Sequence, residues 1–354
     1  MRAFACTNCG QLAYFENERC EACGSELGFQ PQTLELVALR PLEDGSGAYE
    51  AIGSGEIVRH CANHQTAGCN WLTPGDVPGL CESCILGRRI PDLGVPENVA
   101  LWREAEIAKR RLVYALKRLR LPLARPDGAP LVFDILSDAA EAQPVMTGHD
   151  DGLITINLAE ADPAERERRR HDLGEIYRTL LGHFRHEVGH FYWDALVRDG
   201  GREEACRQIF GDDRLDYEMA LKNHYANGAP ADWQMSFVSP YATMHPWEDF
   251  AETWAHYMHI VDALDTAAAF RMRVKPEASS DPSLAARVTG DPYTADSMEE
   301  LIAEWLPLCY AVNSLNRSMG QPDLYPFVLP EPAIAKLSYV HGLVREAAAP
   351  AGLN

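Results

Sequence analysis

The cysteines of this 354-residue chain are concentrated near its N-terminus. Eight of the ten precede residue 85, and they form two groups. In the first group, Cys6-x2-Cys9 is followed after ten residues by Cys20-x2-Cys23. Two such pairs form tight turns whose thiolates converge into the tetrahedron that zinc prefers, with bonds of about 2.3 Å. The spacing therefore predicts a structural zinc ribbon over residues 1–30.

The second cysteine group has a looser spacing. Its members are Cys61, Cys69, Cys81 and Cys84. Four thiolates are the favoured ligand set for a second structural zinc, and the alternative is that His64 replaces Cys61 or Cys69. Because short segments rich in glycine and proline bury little apolar surface, metal binding supplies stability that they lack. We expect residues 1–95 to form a zinc-ribbon region that acts as a folded cap, with docking of a protein or nucleic-acid partner as the alternative.

The composition argues against several classes of protein. Hydrophobic residues make up 46% of the chain, which excludes wholesale disorder. The apolar runs are too short for a membrane-spanning helix, and the first residues lack the apolar segment of a secretory signal. We therefore expect a cytoplasmic protein, in which disulfides are rare. The 32 basic and 52 acidic residues give a net charge of −20, which repels nucleic acid.

The chain changes character after the segment 90–96, which contains two prolines and a glycine. Apolar residues at spacings of three and four predict a helix over 97–121. Short alternating stretches within 31–60 predict strands, and LVFDIL (131–136) and LITINL (153–158) are two further strand candidates. Further helices are expected near 202–210, 213–226, 246–264, 297–318 and 331–347, with a break near Gly174 and a loop over 273–295. We predict an α+β, mostly helical fold with a second domain over 96–354.

One face of the helix predicted over 97–121 is basic. It carries Lys109, Arg110, Arg111, Lys117, Arg118 and Arg120. The favoured interpretation is a solvated face that pairs with acidic residues of this same chain, and the alternative is a patch for phosphate or a partner.

The motif that carries chemistry is HExxH, from His186 through Glu187 to His190. At about 3.6 residues per turn, the two histidines share one helix face and can bind one tetrahedral metal ion. Zinc lowers the pKa of a bound water towards ~7, and Glu187 is placed to act on that water as general base and then as general acid. An ordinary amphipathic helix with two histidines is the alternative. We further expect strand 153–158 to lie at a sheet edge, where it can pair with an extended peptide.

A third protein ligand is sought downstream. The metzincin continuation is excluded, because Trp193 and Leu196 stand where that class has glycine and histidine. Glu248 and Glu252 follow Pro246 and share one face of a predicted helix. One of them can bind zinc while the other orients a ligand histidine.

Other histidines and cysteines are expected to have structural roles. His183 is expected in the core or beside a ligand, His256 and His259 in packing or hydrogen bonding, and Cys206 and Cys309 as isolated core thiols. The role of His149 stays open.

The run from Glu248 to Glu252, EDFAE, resembles the ExFAE run of lethal-factor-type gluzincin proteases. In that type the first glutamate binds zinc, and a tyrosine seven residues earlier stabilises the oxyanion. The resemblance implies that Glu248 is the third zinc ligand and that Tyr241 is the oxyanion donor.

Over nearly its whole length the chain resembles a family of zinc-binding metallopeptidases that carry an N-terminal zinc ribbon. Besides the first cysteine group, the resemblance rests on GCNWL (68–72), RIPDL (89–93), AKRRL (108–112), YRTLLGHFRHEVGH (177–190) and PWEDFAE (246–252). It implies a zincin-like catalytic domain over 96–354, one catalytic and two structural zinc ions, and a peptide or protein substrate. Two other functions remain open, a zinc-ribbon adaptor with a non-catalytic metal and a zinc hydrolase of a small amide or ester.

Overall fold

The computed structural model describes residues 2–76, 78–141, 143–172 and 177–348. The chain divides into two compact units. The first comprises Met1–Arg118, Val132–Gly148 and Leu153–Arg166, and the second comprises Leu119–Leu131, His149–Gly152 and Glu167–Asn354. Every helix within the described residues is too short or too polar to cross a lipid bilayer. The predicted α+β fold class, mostly helical, is confirmed.

The N-terminal part of the first unit is built from antiparallel strands. The strands are β1 (Phe4–Ala5), β2 (Leu12–Ala13), β3 (Glu26–Gln30), β4 (Glu35–Pro41), β5 (Tyr49–Ala51), β6 (Ile57–His60) and β7 (Leu72–Pro74). Strands β1 and β2 pair with each other, and β3 to β7 form one sheet in chain order. Val37, Val58 and Leu72 pack together in one buried cluster of this sheet. Phe29 and Trp71 form a second, aromatic contact, with ring centroids 4.9 Å apart.

A second, four-stranded sheet follows along the chain. After α1 (His64–Ala67), its elements are β8 (Gly87–Arg89), α2 (Pro96–Arg118), β9 (Val132–Leu136), β10 (Gly148–Asp150) and β11 (Leu153–Asn157). The strand order is β10-β11-β9-β8, and β9 pairs in parallel with both β8 and β11. The prediction of an edge strand at 153–158 is therefore wrong. Strand β11 has a neighbour on each side, so its backbone groups are already paired.

Helix α2 lies within one to three residues of its predicted bounds, but its basic face is not uniformly solvated. Lys109 and Arg110 are 0% and 2% exposed, so that part of the prediction is wrong. The Lys109 ammonium lies 2.6 Å from the Glu106 carboxylate, which makes burial of both charges tolerable. The predicted pairing with acidic residues of the same chain is present at Arg111, whose guanidinium lies 2.6 Å from Glu16.

The remaining helices are α3 (Pro163–Asp172), α4 (Leu180–Tyr192), α5 (Glu203–Phe210), α6 (Tyr217–Asn227), α7 (Pro246–Ala269), α8 (Met298–Ser318) and α9 (Glu331–Ala348). The break predicted near Gly174 lies outside the described residues. Within the stretch predicted to be a loop, a short antiparallel pair forms between β12 (Arg273–Val274) and β13 (Ala286–Arg287).

Helix α7 is the central helix of the second unit. Sixteen of its 24 residues are buried, which is typical of a helix that packs against neighbours on several sides. Trp254 is fully buried and stacks on Tyr192 of α4, with ring centroids 4.7 Å apart. A Cβ atom on Gly189 of α4 would lie 2.9 Å from the Ala251 Cα. Glycine at position 189 thus permits the close approach that brings the histidines of α4 to the acidic first turn of α7.

Candidate functional site

The first cysteine group is assembled by two tight turns. The sulfur atoms of its four cysteines all lie within 4.8 Å of one another. Each turn is closed by a backbone hydrogen bond, from Gly10 to Cys6 (2.8 Å) and from Gly24 to Cys20 (2.9 Å). Both glycines have positive φ, 79° and 74°, which other residues rarely adopt. Four thiols converging in this way form the donor set of a structural zinc site.

The second group is buried and contains four sulfur atoms. Cys61, Cys69, Cys81 and Cys84 place these atoms within 4.8 Å of one another, and all four residues are buried. His64 is not part of this set, and its Nδ1 is hydrogen-bonded to the Cys69 carbonyl at 3.0 Å. The geometry therefore favours four thiolates over the alternative with histidine.

The HExxH motif lies on α4, with both histidines facing the first turn of α7. Glu248 Oε2 is 2.9 Å from His186 Nε2 and 3.5 Å from His190 Nε2. This oxygen is buried, and no donor among the described residues forms a hydrogen bond to it. Two imidazole nitrogens and one carboxylate oxygen around one point are the donor set of a catalytic zinc site. The residues present thus fit a zinc ion.

Glu252 has a different position from Glu248. Its Oε1 lies 2.7 Å from His186 Nδ1, on the side of the imidazole ring that faces away from Glu248. Its other oxygen accepts a hydrogen bond from the Ser239 hydroxyl. A carboxylate on the second nitrogen of a ligand histidine sets the tautomer and orientation of that ring.

Two further predicted residues lie beside this cluster. Glu187 follows His186 on α4 and is 8% exposed, and burial raises its pKa to about 7. Tyr241 begins a short 3₁₀ turn just before α7, and its ring centroid is 6.0 Å from that of His186. Burial raises the pKa of the Tyr241 phenol, so it remains protonated and able to donate a hydrogen bond.

His149 also lies beside the cluster, with its ring centroid 6.1 Å from that of His190. The Gly152 amide donates to His149 Nε2 at 3.0 Å. Burial, followed by the nearby His190, lowers the pKa of His149 to about 3. The ring is therefore neutral near pH 7 and carries its proton on Nδ1, since Nε2 is an acceptor.

Sequence reasoning did not identify two aromatic residues at this site. The Tyr217 phenol donates to Glu248 Oε1 at 2.8 Å, and the Trp247 ring lies 3.7 Å from the His190 ring. Trp247 directly precedes Glu248 in the sequence, and this position is a signal that could have identified it. Tyr217 is 31 residues from its partner, on a different helix, and no local pattern marks it.

The histidines expected to have structural roles do not belong to the donor set of His186, His190 and Glu248. His256 Nδ1 is 2.6 Å from the Tyr325 hydroxyl, and the Arg185 guanidinium is hydrogen-bonded to His259 Nδ1. His183 is half-buried on α4. Cys206 and Cys309 are buried, and neither belongs to a metal-ligating group in the described part of the chain.

Comparison with known proteins agrees with this arrangement. Residues 3–95 match a zinc-ribbon domain, and residues 98–343 match the family described as "Putative zinc-binding metallo-peptidase". The uncharacterized proteins Rv2568c of Mycobacterium tuberculosis (strain H37Rv) and Mb2598c of Mycobacterium bovis are each 44% identical to this chain over 353 residues, covering 98% of it and 96% of theirs. No solved structure matches the chain. The chain thus belongs to the zinc-binding metallo-peptidase family matched by residues 98–343.

Proposed function

We propose that this protein is a zinc-dependent peptidase of the gluzincin type, with zinc held by His186, His190 and Glu248. Membership of a zinc-binding metallo-peptidase family supports zinc peptidase activity at the level of the family. The observation that carries the proposal is the convergence of two imidazole nitrogens on one buried carboxylate oxygen that, among the described residues, has no other hydrogen-bond donor. Glu187 follows His186 on α4 and is buried, and its pKa of about 7 suits a general base near neutral pH.

In this proposal the zinc ion supplies Lewis acidity at the scissile carbonyl and at the attacking water. Glu187 removes a proton from the water as it attacks the carbonyl carbon, and then delivers that proton to the leaving amide nitrogen. The Tyr241 phenol donates a hydrogen bond to the oxygen on which negative charge develops.

His149 is a second donor in the proposed site. Its neutral ring carries the proton on Nδ1 because the Gly152 amide occupies Nε2. Its ring centroid lies 6.1 Å from that of His190, and the ring centroid of Tyr241 lies 6.0 Å from that of His186. Two such donors beside the cluster can orient a bound peptide.

The two cysteine groups complete the proposed metal content, with two structural zinc ions and one catalytic ion. We assign residues 1–95 to the zinc-ribbon region and 96–354 to the catalytic domain. A cytoplasmic location fits this proposal, because the eight thiols must stay reduced to bind zinc.

The test compares the wild type with Glu187→Gln, which removes the general base and leaves the proposed ligands intact. Zinc per chain is measured by native mass spectrometry, and cleavage is measured on a peptide library. We expect three zinc ions in both proteins, and cleavage by the wild type to exceed that by the variant by at least about 10²-fold. Full cleavage by Glu187→Gln would contradict the mechanism.

The same measurements separate the alternatives. Three zinc ions without cleavage of any peptide by the wild type would favour an adaptor, or a hydrolase of small amides or esters. If the wild type then hydrolysed a small ester and Glu187→Gln did not, the protein would be a hydrolase of small amides or esters and not an adaptor.

A further inference from the structure

The two oxygens of Glu248 are in different chemical situations. Oε2 faces His186 and His190 and has no hydrogen-bond donor among the residues described. Oε1 accepts a hydrogen bond of 2.8 Å from the Tyr217 phenol. A phenol is protonated at neutral pH, so Tyr217 is the donor in this bond. The carboxylate therefore turns Oε2 towards the proposed metal site, while Oε1 is held in the hydrogen bond to Tyr217.

Tyr217 is held in place by contacts with the beginning of α7. Its ring centroid lies 5.4 Å from that of His245 and 6.0 Å from that of Trp247. His245 accepts from the Trp247 amide through Nδ1, so its Nε2 donates to the Leu215 carbonyl, 3.1 Å away. The segment that enters α6 is thus attached to the first turn of α7 at two points.

The rest of α6 contributes little to the core. None of its residues is buried, although Asp216 caps its first turn by accepting from the Met219 amide at 2.9 Å. A helix with no buried residue gains little stability from packing. The hydrogen bond of Tyr217 is therefore an exception in this helix, and it is made directly to Glu248, the proposed third ligand.

We infer that Tyr217 is a positioning residue that holds Glu248 as a one-oxygen zinc ligand. The inference rests on the zinc site of the proposed function. If Oε1 were released, the carboxylate could rotate and bind the metal through both oxygens, or lose its orientation towards His186 and His190. Ligation through Oε2 alone leaves the fourth tetrahedral position open, which a catalytic zinc site needs for water and substrate.

The experiment measures transfer of zinc from the third site to a chromogenic chelator. The His186→Ala/His190→Ala variant releases zinc only from the two cysteine sites. Its release is subtracted from that of each other protein to give the release from the third site. Partners of ligand residues typically contribute 10–100-fold to metal affinity, so we expect release from Tyr217→Phe to be faster by about that factor. We also expect the visible absorption of the Co²⁺-substituted protein to change, because that absorption reports the number and geometry of the ligands.

Tyr310→Phe is the matched control, because it removes a phenol that is 54% exposed on α8. Its release rate and its Co²⁺ spectrum should equal those of the wild type. Release from Tyr217→Phe within twofold of the wild type would overturn the inference. Faster release with an unchanged Co²⁺ spectrum would also overturn it, since Tyr217 would then act only by attaching α6.

If Tyr217→Phe fails to fold, 3-fluorotyrosine at position 217, whose phenol still keeps its proton near pH 7, provides a second test. Its more acidic phenol should strengthen the bond to Oε1 and slow the release of zinc, whereas unchanged release would reject the inference. A different result would contradict the proposed function and not the role of Tyr217. A wild type that retains only two zinc ions when refilled with zinc would have no metal at His186, His190 and Glu248.

Discussion

Glu248 and Glu252 lie one turn apart on α7, and they differ in what their oxygens face. Glu248 Oε2 faces the Nε2 atoms of both histidines, whereas Glu252 Oε1 faces only Nδ1 of His186. Periodicity places both carboxylates on one helix face and leaves the choice between them open. The resemblance to the ExFAE run selected Glu248, and the side of the imidazole ring that each carboxylate meets supports that choice.

Glu252→Ala tests this division of roles. The substitution removes the acceptor that orients His186 but leaves the three proposed ligands, so we expect the affinity of the third zinc to fall by about 10–100-fold. Competition with a chelator measures this affinity. Glu218→Gln, whose side chain is 84% exposed on α6, is the control and should have no effect.

The zinc affinity of Glu252→Ala is compared with that of Glu248→Ala, which removes a proposed direct ligand. Loss of a direct ligand should abolish zinc binding at this site under the same conditions. If Glu252→Ala abolished binding while Glu248→Ala only weakened it, the two roles would have to be exchanged.

At the scale of elements, the site depends on how closely α4 and α7 approach. Gly189 lies within the HExxH motif, at one of the two positions that the motif leaves unspecified. A Cβ atom there would lie 2.9 Å from the Ala251 Cα and 3.1 Å from the Trp254 Cβ, so both helices would have to move apart. The requirement for glycine arises from packing against α7 and not from the metal chemistry of the motif.

Gly189→Ala should therefore destabilise the protein by about 1–3 kcal/mol, the usual cost of forcing extra volume into a packed core. It should also weaken the third zinc site, because His186 and His190 would move away from Glu248. Gly342→Ala on α9 is the matched control, since a Cβ atom at that position has no neighbour within 4 Å. There the same substitution should stabilise by about 0.5–1 kcal/mol through helix propensity.

Urea unfolding of the two variants and the wild type measures both effects. Opposite signs are expected for the two alanines. A stabilising effect at position 189 would show that α4 and α7 tolerate a larger separation than their packing indicates.

At the scale of the whole molecule, the proposed structural zinc sites differ in exposure. Cys9 and Cys23 are exposed, whereas all four cysteines of the second group are buried. A chelator and a thiol reagent can therefore reach the first group without opening of the fold. The second group becomes reactive only when the surrounding structure opens.

We expect alkylation in the presence of a chelator to proceed in two stages. Peptides that contain Cys9 and Cys23 should be labelled before those that contain Cys61 and Cys81, as followed by mass spectrometry. Simultaneous labelling of both groups would contradict the prediction, because it would mean that both sites open in one step.

The sequence by itself determined the parts of this protein that depend on local geometry. Cysteine pairs three residues apart close a turn, and histidines four residues apart share a helix face, whatever the rest of the chain does. For the same reason helical periodicity located α2, α5, α8 and α9 to within a few residues. These predictions needed no knowledge of what each element packs against.

Only the tertiary structure decided what depends on the meeting of distant elements. Strand β11 was expected at an edge, but an alternating pattern does not reveal how many neighbours a strand has. Lys109 was expected in solvent, but its burial follows from Glu106 and the sheet that α2 covers. The partners of Glu248 and Glu252, Tyr217 and Ser239, come from other segments of the chain. Periodicity sets directions within one helix, whereas side-chain packing sets how two helices approach, and the oxygen that faces the metal site depends on that approach.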